Sequence, residues 1–295
     1  MPTVDPQTLG AIRDLRLSTR RIVNQFVSGC GSSGLIASGV EFDRHRGYQP
    51  GDDPRHVDWK LHARTDRYYI KDSQNESLLT IQFVLDGTAS MKHEESGVSK
   101  WEYGCQVIAA LAYLTQLQGD SFGLWIPQEK NNIELMPSRD KAGWARLVDA
   151  LESTQPDGKW PASSINKQRR RHRTPRLIVM VSDYQQEKSE IETFIKARLA
   201  ERDEVILFHL LGRNELEFTY TGSIELEDLE TGQILEISAD RVRTQYLEKM
   251  HRHLKAIRSR LSKVQVDYQQ IIASQPLHRV LRAFLHRRER IRRKA

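Results

Sequence analysis

A chain of 295 residues, 38% hydrophobic and 28% charged, has the composition of a globular protein and material for one large domain or two modest ones. No apolar run approaches the roughly 18 residues that span a bilayer, and two cysteines, Cys30 and Cys105, are too few for a disulfide framework or a cysteine-built metal site. The net charge of +6 is uneven, gathered in KQRRRHR at 167–173 and in the tract 286–294.

The opening MPTVDPQTLGAIRDLR lacks the charged lead, apolar core and cleavage site of a signal peptide, so the expectation is a cytosolic protein with two free thiols. The basic tracts are not interleaved with stacking aromatics. They read as solvated charge, with nucleic-acid binding through Arg169 to Arg173 and the C-terminal tract kept as an alternative.

Leu9, Ile12, Leu15, Ile22 and Phe26 recur at near-helical spacing and predict an amphipathic helix over 6–27. The small-residue stretch GCGSSGLIASG at 29–39 offers glycines, but Gly34 is followed by Leu35-Ile36 and not by the Lys-Ser/Thr of a P-loop, so it is not a nucleotide cradle. From 40 to 79 the chain turns to dense charge with aromatics, and Pro50-Gly51-Asp52-Asp53-Pro54 is strong turn chemistry.

Strand-like and helix-like segments then alternate. Strands are expected at 80–85, 121–126, 133–136, 176–181, 204–211 and 264–268, and helices at 100–117, 141–151, 187–200, 241–261 and 276–288. Residues 216–237, broken by Thr221-Gly222 and Thr231-Gly232, suggest a β-hairpin excursion. Such alternation predicts an α/β fold with a doubly wound, mostly parallel sheet. The domain division is an N-terminal helix and charged arm over 1–77, packed on an α/β domain over 78–295.

Two of these strands end in an acid: Phe83-Val84-Leu85-Asp86 and Ile178-Val179-Met180-Val181-Ser182-Asp183. In open α/β sheets functional groups gather outside the carboxyl ends of strands, at the point where strand order reverses. If the two strands are neighbours there, Asp86 and Asp183 meet, and Thr88 and Ser90 turn hydroxyls into the same crevice. Carboxylates and hydroxyls are the oxygen ligands that Mg²⁺ prefers. The other reading is that Asp86 and Thr88 cap the following turn.

Three catalytic readings of LDGTASM at 85–91 fail on residues. Haloacid-dehalogenase phosphotransferases carry their nucleophilic aspartate two positions before Asp-Gly-Thr, where this chain has Val84. Ser90, between Ala89 and Met91, is not in a Gly-x-Ser-x-Gly elbow. A Walker B reading of Asp86 lacks a P-loop to serve.

Asp86-x-Thr88-x-Ser90 after a first strand, with Ser182-Asp183 ending a later one, resembles the metal-ion-dependent adhesion site of von Willebrand factor A domains. The charged segment is more specific. Gly39-Val40-Glu41-Phe42, Arg46-Gly47-Tyr48, Gly51-Asp52-Asp53, Arg55, Val57-Asp58-Trp59 and Ala63-Arg64 resemble the signature of the bacterial domain-of-unknown-function family numbered 58. The stretch from Val266-Asp267-Tyr268 to Phe284-Leu285-His286-Arg287-Arg288 is similar to that family's C-terminal strand and helix.

The resemblance implies a von Willebrand factor A-like fold and a protein-binding adaptor rather than an enzyme. It implies Mg²⁺ or another divalent cation at Asp86, Thr88, Ser90 and Asp183. It also implies a partner in a MoxR-type AAA+ ATPase and work in maturing or assembling other proteins. The adhesion site's usual loop threonine has no counterpart in DGKWPASS at 157–164. Ser163 or Ser164 would stand in, and Thr154 lies nearby but earlier.

In the charged segment, His45, His56, Asp58 and His62 match no compact zinc spacing. Glu41, Arg46, Tyr48, Asp52, Asp53, Arg55, Asp58, Trp59 and Arg64 are expected as a structural or partner surface. Arginine–aspartate pairs would fix the arm to the sheet and Trp59, Tyr48 and Phe42 would anchor it by burial. The enzyme alternative is a metal-dependent hydrolase that uses the strand-end acids.

Overall fold

The computed structural model describes residues 15–29, 44–48, 57, 59–65, 67–72, 79–95, 97–140, 142–161, 175–185, 189–227 and 234–292. Helix α1 spans Leu15–Gly29. In the charged arm, β1 (Arg44–Gly47) and β2 (Tyr69–Asp72) pair as an antiparallel hairpin around the short helix α2 (Trp59–Thr65).

The core begins at β3 (Thr80–Leu85) and continues through a two-residue hairpin, β4 (Glu94–Glu95) and β5 (Val98–Ser99), into α3 (Lys100–Leu117). Then come β6 (Ser121–Ile126), β7 (Ile133–Ser138), α4 (Gly143–Ser153), β8 (Leu177–Ser182), α5 (Glu190–Ala200) and β9 (Glu204–Leu211). A short α6 (Arg213–Glu217) and the hairpin β10 (Ser223–Glu227) to β11 (Ile234–Ser238) lead to α7 (Ala239–Lys263), β12 (Asp267–Ile272) and α8 (Leu277–Arg292).

Six strands form one sheet in the order β12-β9-β8-β3-β6-β7, parallel except for the β7 edge. That is the doubly wound arrangement, and the chain reverses its direction of winding between β3 and β8. Period-two alternation feeds two cores. Phe83, Leu85, Val179 and Val181 face α1, α3, α4 and α8, while Val84, Ile178 and Met180 face α5 and α7.

Helix α3 lies under α1, α4 and α8, and it is buried on nearly every side rather than along the single stripe of Val107, Ile108, Leu111 and Leu114. Its run of Ala109, Ala110 and Ala112 at zero exposure is what lets helices close in on it. Among the described residues no helix is long and apolar enough to cross a membrane.

Gly123 sits where β6 and β7 shift register between Phe122 and Leu124. A Cβ there would lie 2.5 Å from the Leu135 carbonyl oxygen and 2.9 Å from the Pro137 nitrogen. Backbone atoms cannot give way as a side-chain end can. Gly123→Ala is therefore expected to cost about 2–3 kcal/mol by overpacking, read as a lower urea midpoint with an unchanged m-value.

The arm departs from the expected burial. Trp59 is 60% exposed and Tyr48 38%. Trp59 opens α2 and packs edge-on against His62 and Tyr68, so these aromatics contact one another. His62 stacks on Tyr68 at 4.3 Å, and Tyr48 lies 6.4 Å from the same ring. Glu41, Phe42, Asp52, Asp53, Arg55 and Asp58 lie outside the described residues, as does the 167–173 tract.

Candidate functional site: the acidic strand ends

Because β3 and β8 are parallel neighbours with Leu85 opposite Val181, their carboxyl ends finish level. The Asp86 N–H donates to the Val181 carbonyl at 2.9 Å. Asp86 and Asp183 thus meet at the reversal point, at 0% and 1% exposure. The turn between Asp86 and Thr88 requires glycine, since a Cβ on Gly87 would lie 2.8 Å from the Pro127 carbonyl oxygen and 2.6 Å from Gln128 Cγ.

The loop after α4 wraps this turn: Asp157 N–H donates to the Gly87 carbonyl at 2.8 Å, and Ala89 N–H to the Gly158 carbonyl at 2.9 Å. Thr154 does not reach the site, because its hydroxyl donates to the Ala150 carbonyl at 2.6 Å in closing α4. Ser163 and Ser164 lie outside the described residues.

The four expected residues come together as one network. Asp86 Oδ1 accepts from the Thr88 N–H (3.0 Å) and the Thr88 hydroxyl (2.8 Å), and Oδ2 accepts from the Ser182 hydroxyl (2.5 Å). The hydroxyls of Thr88 and Ser90 are 3.0 Å apart, and Ser90 donates to Asp183 Oδ1 at 3.2 Å. Asp86 therefore does cap its turn, whereas Thr88, at the start of the short helical turn Ala89–Lys92, makes no side-chain cap of its own. Burial first, and then the charge of Asp183, push the Asp86 carboxyl up to about 7, against the bonds from Ser182 and Thr88.

Two further members come from segments that the strand-end pattern does not reach. Lys100, at 1% exposure, donates through Nζ to Asp183 Oδ2 at 3.2 Å and to Glu215 Oε1 at 2.8 Å. Burial lowers its pKa, but Asp183 and Glu215 more than offset this and hold it above the ordinary lysine value. Glu215 rides on α6 just past the end of β9, where Gly212 N–H donates to Oε2 at 2.6 Å and Gln185 Nε2 donates to Oε1 at 3.2 Å.

Lys100 is the first residue of α3, positioned by a reciprocal capping box in which Ser99 and Glu102 exchange bonds of 2.9 and 3.1 Å. The Ser-x-x-Glu spacing was readable in the sequence. Nothing in the spacing says that the lysine between them turns inward.

His209, on β9, fixes the backbone of the site. Its ring nitrogens lie 2.9 Å from the Asp183 carbonyl oxygen and 2.7 Å from the Tyr268 hydroxyl. Burial lowers its pKa from 6.5 to about 4. A depressed histidine leaves the folded state with fewer protons than the unfolded chain between those values. Stability from this group is complete above pH 6.5 and is lost as pH falls towards 4, about 3 kcal/mol in all. His209→Gln should flatten that part of the curve of melting temperature against pH.

A divalent cation here would need carboxylate oxygens free to coordinate and room for an octahedral shell. Each oxygen of Asp86 and Asp183 instead accepts from a donor of the chain, and an ammonium lies between Asp183 and Glu215. Among the described residues no group of three or more His, Cys, Asp or Glu is arranged to hold a metal ion. The donor types suit Mg²⁺. Their arrangement does not.

Comparison with known proteins gives the following. "Uncharacterized protein Rv1480" of Mycobacterium tuberculosis and "Uncharacterized protein Mb1516" of Mycobacterium bovis are each 26% identical over 244 residues, 80% of this chain and 75% of theirs. Among solved structures, BatB from Bacteroides thetaiotaomicron is similar with a TM-score of 0.46 and 14% identity, covering 74% of this chain and 100% of that one. The VWA domain of SpRpn10 gives a TM-score of 0.41 and 12% identity over 69% and 94%. The sheet order with its antiparallel edge is the von Willebrand factor A-like architecture that the resemblance implied. A family described as "Protein of unknown function DUF58" matches residues 44–256, and the chain belongs to that family.

Proposed function

We propose that this chain is a cytosolic, non-enzymatic adaptor that docks on a protein partner. The resemblance of its arm and strand-end motifs supplies the identity of that partner, a MoxR-type AAA+ ATPase, and the process, maturation or assembly of other proteins. The observation that carries the docking reading is the aromatic group on the signature arm. Trp59, Tyr68 and Tyr48 are 60%, 53% and 38% exposed, and the Tyr68 ring lies 6.5 Å from that of Trp59 and 6.4 Å from that of Tyr48 by centroid. Exposed tryptophan and tyrosine in a cluster are what interface hot spots are made of.

The strand-end acids support the non-enzymatic half of the reading. A metal-dependent hydrolase needs a bound metal with an open coordination position for water, whereas here the two carboxylates are already bonded to Thr88, Ser182, Ser90 and Lys100. The Mg²⁺-bridged docking that the resemblance implies would need the same oxygens, so the proposal places docking on the arm.

The test is the affinity of the full chain for a purified MoxR-type ATPase from the same source, with and without Trp59→Ala and Tyr68→Ala together. A loss of about tenfold or more with an unchanged melting temperature is expected. Equal affinity would sink the arm as the docking surface. Phosphoester turnover with Mg²⁺ or Mn²⁺ that disappears in Asp86→Ala would favour the hydrolase instead.

A further inference from the structure

We propose that the Lys100 ammonium is the resident cation of the strand-end site, so that the place a divalent metal would take beside Asp183 is already held by a positive charge and a metal binds only when Lys100 is removed. The first support is position. Nζ reaches Asp183 Oδ2 and Glu215 Oε1 at 3.2 and 2.8 Å, so a metal seeking the Asp183 carboxylate would meet a unit positive charge already on it. Two cations cannot share one carboxylate oxygen in a buried pocket without strong repulsion.

The second support is construction. A cation in the first turn of a helix opposes the helix dipole, yet Lys100 occupies that place at 1% exposure. Its backbone is held there by the Ser99–Glu102 box and by its own N–H, which donates to the His93 carbonyl at 2.9 Å. The β4–β5 hairpin delivers the chain to this point with Glu94 opposite Ser99. Glu215 is held from the other side by Gly212 N–H, and its carbonyl accepts from the Tyr246 hydroxyl at 3.0 Å. The lysine thus joins the start of α3, the end of β8 and the segment after β9 in one ion triad, and it cannot swing out without opening the pocket.

The inference stands whatever the partner proves to be, because the metal alone tests it. Mn²⁺ is titrated into the full chain and free ion is followed by its electron paramagnetic resonance signal, for wild type, Asp183→Asn, Lys100→Met and Lys100→Met with Asp183→Asn. Wild type is expected to remove no ion that Asp183→Asn does not also remove. Lys100→Met is expected to gain a site for Mn²⁺, at least about tenfold tighter than any in wild type, once the opposing unit charge is gone. The added Asp183→Asn should abolish that gain. A wild-type site lost in Asp183→Asn would overturn the proposal, and so would a folded Lys100→Met that gains nothing. Should Lys100→Met fail to fold, the wild-type and Asp183→Asn titrations decide alone.

Discussion

Lys100→Met is expected to lower stability by about 3–5 kcal/mol, the cost of stranding buried charge when one partner of an ion group is removed. Methionine matches the length of the lysine stem, so packing is kept and the loss reports charge. Asp183 and Glu215 would be left facing each other, at 0% and 15% side-chain exposure, with no cation between them. Arginine should not rescue the variant, because its planar fork is larger than the ammonium and needs a different geometry.

Adding Asp183→Asn to Lys100→Met should recover part of the loss, since a buried ion pair replaced as a unit costs far less than one that is broken. The double-mutant cycle measures this coupling. An additive cycle would show that the two groups do not act as a pair. Urea midpoints with unchanged m-values are the readout.

At the opposite end of the sheet, Asp203→Ala is expected to be about equally damaging. Asp203 stands just before β9 at 5% exposure and accepts from the Arg176 N–H at 3.0 Å and from Arg176 Nη2 at 3.1 Å. Arg198, at 1% exposure, lies 3.8 Å from the same carboxylate and is gripped by both oxygens of Glu201 at 3.0 and 3.2 Å. Removing Asp203 takes a buried carboxylate away from two largely buried guanidinium groups, a loss of about 3–5 kcal/mol.

Asp203→Asn keeps an acceptor for the Arg176 N–H and should cost roughly half as much. This cluster lies at the amino ends of the strands and the acidic site at the carboxyl ends. Asp203 variants should therefore change stability and leave Mn²⁺ behaviour as in wild type. A metal response to Asp203→Ala would mean that the two ends of the sheet are coupled.

The strands nearest the site were legible because they are buried on both faces. Thr80–Leu85, Ser121–Ile126 and Glu204–Leu211 are mostly apolar runs, interrupted inside only by Gln82, Gly123 and His209, and their limits follow from that. The last strand was displaced. Val264 and Val266 read as strand, but Val264 closes α7 with its N–H on the Leu261 carbonyl, and Val266 packs in the core beside α5 and α7. The strand itself, DYQQII, is polar because it is a sheet edge.

The acid pair was legible because both residues follow apolar strands. The ammonium was not, because a lysine at a helix start reads as solvated charge. Only the fold turns it inward, against an acid 115 residues later in the chain. Glu215 escaped for the same reason: it does not end a strand but stands on a five-residue helix beyond one. Trp59 and Tyr48 were legible as arm aromatics, but Tyr68, the ring that both meet, was not singled out and their exposure was not legible, since hydrophobic character alone does not say whether a tryptophan meets a core or its own neighbours.

The most direct measurement is a crystal structure of the wild-type chain grown in millimolar Mn²⁺, with anomalous diffraction collected for the metal. The account predicts no anomalous peak at the carboxyl ends of β3 and β8, and Lys100 Nζ within hydrogen-bonding distance of Asp183 and Glu215. A Mn²⁺ peak coordinated by Asp86, Thr88, Ser90 or Asp183, with the lysine turned away, would contradict it.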